Sequence, residues 1–420
     1  MTTTDPAASP VGRALPPPSG MSVALASLRV RHYPVLWASG GIWNITRWMT
    51  IFLGSYLVDQ LTDSPLLVQL VGTSFFLPMF VGGLAAGVIA DRFDRRRTVV
   101  RQLTVLVPVA AAMSLVVLTG HVHVWMVYAF VLAVGVGQVV DMTNRRALVH
   151  DIVGDRLLGN AMALEALSMA AGNMLGALTG GAVIGLLGEG QAYGLVAVFY
   201  VVCLTMMSRV PSAPALVTRV ERPQLREDLS AAVRALPSNR PLVSLLGVTF
   251  LVNLLFFAYM PLVPVLAKRF HVGPFLTGAL ASGTGLGMLI GSILMVVFDP
   301  PRRGRIYVIG AFGGMACLIV FAMMRLYPVA LLVLVVTGIA SAGFASVQSA
   351  LVMQVASADM RGRAMGLLSM AIGALPFGML MLGFVAEAVG AATAVVVSAG
   401  VGIVVLALWL LRYPEVTRIP

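Results

Sequence analysis

Twelve apolar stretches, each of about 20 residues, follow one another along the chain with short polar breaks between them. That is the length of helix needed to cross ~30 Å of hydrocarbon. Backbone in lipid must satisfy its own hydrogen bonds, which leaves helices as the way to cross. The spans read as approximately 34–58, 66–90, 99–118, 125–143, 157–187, 192–210, 242–266, 275–298, 306–324, 328–347, 364–389 and 391–411. The fifth is long for one crossing and is expected to tilt or to begin before the hydrocarbon. Composition agrees: 59% of the 420 residues are hydrophobic and 11% charged, more apolar surface than one soluble core can hide. The predicted fold class is an all-α polytopic membrane protein with twelve transmembrane helices.

The formal net charge is +11, and its placement excludes a nucleic-acid surface. Arg29 and Arg31, then Arg92, Arg95, Arg96 and Arg97, then Arg145, Arg146 and Arg156 fall in alternate loops. The same side continues with the central linker, Arg302, Arg303, Arg305, Arg361, Arg363 and Arg412. The other side holds Lys268, Arg269 and Arg325. Basic residues accumulate in cytoplasmic loops, so both termini are expected in the cytoplasm of a protein of the cell (inner) membrane. Residues 1–20 contain no apolar run and read as a disordered polar tail, not a cleaved signal. Cys203 and Cys317 lie inside apolar stretches and imply neither a disulfide framework nor a metal site. His121 and His123 form an H-x-H without a third ligand nearby, so no metal and no cofactor is expected. The 24 methionines read as flexible apolar filler.

Residues 211–240 interrupt the pattern with proline and charge. Within them Leu225, Leu229, Ala232, Val233 and Leu236 recur at helical spacing opposite Arg226, Glu227, Asp228 and Arg234. This reads as a short amphipathic helix on the cytoplasmic membrane surface. The expected organisation is a tail (1–33), a six-helix bundle (34–210), the linker (211–240), a second six-helix bundle (241–411) and a C-terminal tail (412–420). The halves look related: GVIADRFDRRRTVV follows the second span and GSILMVVFDPPRRGRIYV the eighth, each with glycine, then Asp, then clustered Arg. Repeated halves are a transporter architecture, with substrate held near the midplane between them.

The loop after the second span carries Gly87, Ile89, Ala90, Asp91, Arg92, Asp94, Arg95 and Arg96. This resembles the G-x-L-A-D-R-x-G-R-R/K motif of the major facilitator superfamily, with Asp94 where glycine is usual. The resemblance implies two six-helix bundles and a conformational latch formed by Gly87, Asp91, Arg92, Arg95 and Arg96, with Asp91 bonding across the interface between halves. In the fifth span Gly172, Gly176, Gly180 and Gly181 resemble the antiporter motif of proton-coupled exporters, Ala177 standing for its proline. Glycines four apart also simply let helices approach. LTDSPLLVQLVGTSFFLPMFVGGLAAG, ALVHDIVGDRLLGNAMALEA, the linker followed by NRPLVSLL, and ADMRGRAMGLLSM resemble the branch that includes enterobactin exporters, macrolide efflux pumps and the transmembrane secretion effector group. The superfamily's fourth-span Arg motif is not evident; Val131 and Ala133 occupy candidate positions.

Ionisable residues inside spans are costly and mark function by default. Arg47 lies near mid-depth of the first span, with Asn44 on the same face and Trp43 and Trp48 beside it. A cation, an amide and indoles could hold an anionic or aromatic substrate; a structural ion pair with Glu165 is the alternative. Glu165 in the fifth span and Asp141 in the fourth are the proton-coupling candidates, since carboxylates in apolar surroundings can exchange protons near neutral pH. Asp141 has a simpler partner in Arg145, four residues on at the interface. Asn44, Arg47, Trp48, Asn253, Phe256 and Gln348 are the substrate-cavity candidates. The functional expectation is a secondary active transporter, a proton-coupled exporter of a small amphipathic molecule such as a drug or siderophore, working by alternating access as a monomer. Its expected partners are that substrate, protons and membrane lipid. An importer or a lysolipid or lipid flippase of the same fold is the alternative. A membrane-embedded enzyme is disfavoured because no catalytic constellation stands out in the spans, and a channel because no re-entrant filter does.

Overall fold

A computed structural model of the chain describes residues 25–90, 94–211, 239–298, 301–357 and 360–419, with backbone alone for 82–90. Among these residues there is no strand. The helices are α1 (Tyr33–Thr62), α2 (Pro65–Ala90), α3 (Arg95–Leu118), α4 (Val124–Leu187), α5 (Glu189–Ser208), α6 (Arg240–Leu255) and α7 (Val263–Ala267). They continue as α8 (Pro274–Phe298), α9 (Arg303–Met323), α10 (Tyr327–Val355), α11 (Arg361–Ile372), α12 (Leu375–Val389) and α13 (Ala391–Arg412). Their starts are chemically marked. Asp94 accepts a hydrogen bond from the Arg97 amide at 2.8 Å, and Asn239 from the Leu242 amide at 3.1 Å. Both satisfy donors that have no partner within the first turn.

Three elements differ from the expected spans. α4 is 64 residues long, ~96 Å of helix if straight, too much for one crossing. Gly154 breaks it with φ +67°, ψ 173°, a conformation glycine adopts without steric cost. The result is two arms, 124–153 and 155–187. The spans 125–143 and 157–187 imply a loop between them carrying Arg145, Arg146 and Arg156. The chain is helical there, its charges being taken up by pairs such as Arg95–Asp151 at 2.6 Å. The seventh span is broken: α6 gives way to a 3₁₀ segment, Phe257–Leu262, around Pro261, before α7. The eleventh is broken between α11 and α12, where Pro376 removes an amide donor.

Apolar side chains form two cores, one drawn from residues 33–210 and one from 242–419. The linker residues 212–238, with the amphipathic pattern, lie outside the described residues. In the C-terminal tail Pro414–Arg418 form a docked 3₁₀ turn. Ser244 Oγ donates to the Tyr413 carbonyl at 2.6 Å, the Val416 amide donates to Ser244 Oγ at 3.3 Å, and Arg240 pairs with Glu415 at 3.2 Å. Apolar Val416 is fully buried there, which is why so short a segment stays put.

The chain ends at 25–33 and 412–419 share one face, here the terminal face. On the opposite face the two halves close tightly. A methyl carbon on Gly181 of α4 would lie 2.5 Å from the Pro274 carbonyl oxygen and 2.8 Å from Gly278 of α8. Gln69 of α2 donates to the Ala258 carbonyl at 2.9 Å. Nearer mid-depth, Phe80 of α2 meets Phe377 of α12 edge-on, ring centres 4.9 Å apart. A cavity adjoins that contact, its wall including residues just before Phe80 on α2 and just before Phe377 on α12.

Candidate functional site

The cavity has a volume of ≈ 280 Å³ and is walled by α1, α2, both arms of α4 and the α11–α12 break. α1 contributes Trp43, Asn44, Arg47 and Trp48. Arg47 is ~21 Å along the helix from Tyr33, in its middle. It is 7% exposed, and its guanidinium carbon lies 5.1 Å from the centre of the Trp48 ring. Its Nε has no hydrogen-bond partner, and no ion pair within 4.0 Å joins it to another described residue. A buried cation without a bonded anion is expensive. Trp43, by contrast, is fixed: its Nε1 donates to Gln138 at 3.0 Å.

The 124–153 arm supplies Asp141 and Arg145. They form a fork-like pair, Arg145 Nη2 to Asp141 Oδ1 at 2.7 Å and Nε to Oδ2 at 3.0 Å. Arg145 Nη1 also donates to the Leu36 carbonyl and to Ser39 Oγ, each at 3.1 Å. Both residues are 3% exposed. The sequence counted Arg145 among loop charges and put its pair with Asp141 at the interface. The structure corrects the first, because the helix runs on past 143 and turns Arg145 inward, and it shows the pair itself, each of the three guanidinium nitrogens finding an acceptor.

Glu165, on the 155–187 arm, is half-buried. Its carboxylate and the Arg145 side chain converge on Gly40, where a methyl carbon would stand 3.5 Å from Glu165 Oε2 and 3.4 Å from Arg145 Cδ. Glu165 feels the charges of Arg145, Arg146 and Arg47. It makes no hydrogen bond and no ion pair within 4.0 Å with a described residue. Arg47 and Glu165 thus share the cavity without being paired.

The glycines of the fifth span pack against α1. A methyl carbon on Gly172 would be 2.6 Å from Asn44 Cβ, on Gly176 2.6 Å from the Ile45 carbonyl oxygen, and on Gly180 2.9 Å from the Phe52 ring. Gly181 instead meets α8. The groove sets the depth at which Asn44, Arg47 and Trp48 stand. Gly176→Ala is therefore expected to lower stability by about 1–3 kcal/mol through overpacking against backbone. Thermal unfolding in detergent measures it, and an unchanged midpoint would show that α1 yields.

Not every sequence candidate reaches the cavity. Asn253 donates to the Thr249 carbonyl at 2.9 Å, Gln348 to Thr249 Oγ1 at 3.1 Å, and Phe256 packs on Phe257 with ring centres 4.7 Å apart. All three are buried in the packing of the second half and are absent from the cavity wall. The break after Leu255 turns Phe256 into that core. Of the latch residues, Arg95 pairs with Asp151 at 2.6 Å, and Arg96 donates to the Met207 and Ser208 carbonyls at 3.2 and 2.5 Å, all within the first half. Asp91 and Arg92 lie outside the described residues, and Gly87 is described by backbone alone.

Sequence reasoning missed the sulfur lining. Met79, Met142, Met162 and Met169 converge on the cavity from three segments, alongside Phe75 and Phe76. No spacing rule ties these methionines together, so only the fold assembles them. Thioether and aromatic walls adapt to differently shaped apolar ligands. Beyond Trp48, toward the opposite face, lies a second space of ≈ 40 Å³, lined in part by Ser55, Asn173, Tyr259 and Thr284. Trp48 borders both.

A family model described as "Major Facilitator Superfamily" matches residues 36–375 and again 245–419. The chain is 27% identical over 313 residues to the enterobactin exporter of Citrobacter koseri, covering 74% of each. It is 23% identical over 293 residues to macrolide efflux protein A of Streptococcus pyogenes, covering 67% of the chain and 70% of that protein. A bacterial homologue of the human lysosomal transporter Spinster, solved inward-facing and unoccupied, superposes with TM-score 0.72 at 14% identity over 95% of this chain and 98% of that one. A D-xylose–proton symporter superposes with TM-score 0.71 at 16% identity over 94% and 99%. These two structural likenesses establish a common fold.

Proposed function

Because this chain belongs to the Major Facilitator Superfamily, and is therefore a multi-pass membrane transporter of small molecules, we propose that it exports an amphipathic compound bearing an anionic or electron-rich aromatic group. The single observation that carries the reading is Arg47, buried at mid-helix with no anionic partner on the wall of a methionine- and aromatic-lined cavity. An acidic or aromatic ligand would supply what Arg47 lacks, and the apolar wall would hold its body. Export is supported by the two similar exporters named above. Glu165 is the proton carrier in this reading, since it is a cavity carboxylate with no bonded partner to hold it charged. Asp141 is not, being committed to Arg145. Substrate enters from the cytoplasm, the halves rock, and proton uptake from outside resets them. One chain supplies the whole wall, so a monomer suffices.

The test uses inside-out vesicles holding the purified chain and a fluorescent catecholate, with a cationic macrolide for comparison. An imposed inward-acid gradient should drive accumulation of the catecholate, whereas accumulation of the macrolide alone would remove Arg47 from substrate recognition. Accumulation only with the reverse gradient would make the protein an importer. Failure of every amphipathic anion, with uptake of neutral sugars instead, would overturn the substrate class.

A further inference from the structure

The connection between α1 and α2, residues 62–65, is held by two charged side chains of opposite sign, both from the second half. Lys268 starts the 3₁₀ turn Lys268–Phe270 after α7. Its ammonium sits 3.0 Å from Asp59 Oδ1 and 2.5 Å from Asp63 Oδ1, and reaches the Asp59 carbonyl oxygen at 3.5 Å. It therefore neutralises two carboxylates and also caps the negative, C-terminal end of α1. Glu387, near the end of α12, accepts hydrogen bonds from Ser64 Oγ at 2.8 Å and from the Leu66 amide at 3.2 Å. It caps the positive, N-terminal end of α2. The end charges of two successive helices of one half are thus each matched by the other half.

Lys268 is the only lysine in the sequence; the remaining 27 of the 28 basic residues are arginine. An ammonium is a compact, strongly hydrated point charge, whereas a guanidinium forks rigidly onto a carboxylate. At a contact that must open in every cycle, the former releases more readily. The Asp59 side chain is 2% exposed and that of Lys268 42%, so Asp59 relies on a cation that belongs to the other half.

We propose that Lys268 and Glu387 form a releasable electrostatic clamp on the α1–α2 turn that keeps the opposite face shut in the conformation seen here and lets go when the halves rock. They are positioning residues for the transport cycle and touch no substrate. The inference rests on the alternating-access reading above, but its test needs neither substrate nor gradient. The two arms of the clamp are unequal. Losing Lys268 leaves the buried Asp59 carboxylate without a counter-charge, whereas losing the exposed Glu387 charge removes a cap that water can replace.

The experiment uses the full chain in lipid nanodiscs, with Cys203→Ala and Cys317→Ala and spin labels at His121→Cys and Arg325→Cys. These positions are exposed on the opposite face, one in each half. Lys268→Met should raise the long-distance population by about tenfold or more, and Glu387→Gln by a few-fold. Adding Asp59→Asn to Lys268→Met should return the distribution toward that of the parent, because the orphaned charge is gone. Should Lys268→Met not fold, the lone ε-amine gives a second readout in Glu387→Gln alone. Acylation of Lys268 by an impermeant reagent should then run several-fold faster than in the parent. Distances unchanged in both single variants, or a Lys268 acylation rate unchanged by Glu387→Gln, would overturn the clamp. An intact clamp with no substrate movement in vesicles would overturn only the proposed function.

Discussion

Glu165→Gln should abolish gradient-driven accumulation, by at least about tenfold, while leaving exchange of substrate between the two sides of the membrane intact. Glutamine keeps the shape and removes the titrating group. The fold should tolerate it, because Glu165 has no hydrogen-bond or ion-pair partner among the described residues to be orphaned; a change within ~0.5 kcal/mol is the expectation for such a site. Arg145, which approaches Gly40 beside Glu165, already has Asp141 as its fixed partner at 2.7 Å, so it does not need Glu165. The measurement is substrate flux into proteoliposomes under an imposed gradient and, separately, counterflow without one. A mutant that still concentrates substrate with the gradient would remove Glu165 from coupling. A mutant that unfolds several degrees earlier would instead make Glu165 a structural partner of the cavity's arginines.

The spans were legible because crossing a bilayer fixes one length, and α3, α8 and α9 begin and end within about four residues of the sequence reading. What was not legible follows from how charge is read. Arg145 looked like a loop residue because hydropathy cannot distinguish a charge in water from one folded back onto Asp141 and the Leu36 carbonyl. Asp59 was left outside the first span for the same reason, although α1 continues to Thr62 and buries it. Its partner Lys268 is 209 positions away, a distance no local pattern spans. The lysine did carry a signal, as the single exception in a chain otherwise supplied with arginine. In the second half, Asn253, Phe256 and Gln348 have the right chemistry for a cavity wall. Asn253 and Gln348 are instead bonded to Thr249, and Phe256 is turned by the break at Phe257–Leu262; proline in an apolar run predicts a break without predicting its direction. The methionine wall is the opposite case: four residues unremarkable one at a time acquire a role from convergence alone.

Arg145→Met and Arg47→Met change the same residue type to the same apolar one within a single cavity, and the two should fail in different ways. Arg145 bonds Asp141 twice and also donates to the Leu36 carbonyl and Ser39. Removing it leaves a 3%-exposed carboxylate without its counter-charge and takes a donor from the Leu36 carbonyl and the Ser39 hydroxyl. The expected cost is about 3–5 kcal/mol, enough to collapse expression or lower the unfolding midpoint by several degrees. Asp141→Asn in the same background should restore part of it, since no charge is then orphaned. Arg47→Met removes a cation that has no bonded partner, so the unfolding midpoint should hold or rise. Substrate binding should bear the whole loss, at about 2–5 kcal/mol, or roughly 30-fold or more in Kd, for an anion deprived of its buried counter-charge. Arg47→Lys keeps the charge but gives up the guanidinium that lies over the Trp48 ring, 5.1 Å from its centre, and should recover only part of the affinity. Thermal unfolding and equilibrium ligand binding on the same preparations separate the two residues. An Arg47→Met protein that binds as tightly as the parent would show that the cavity's ligand does not use this cation.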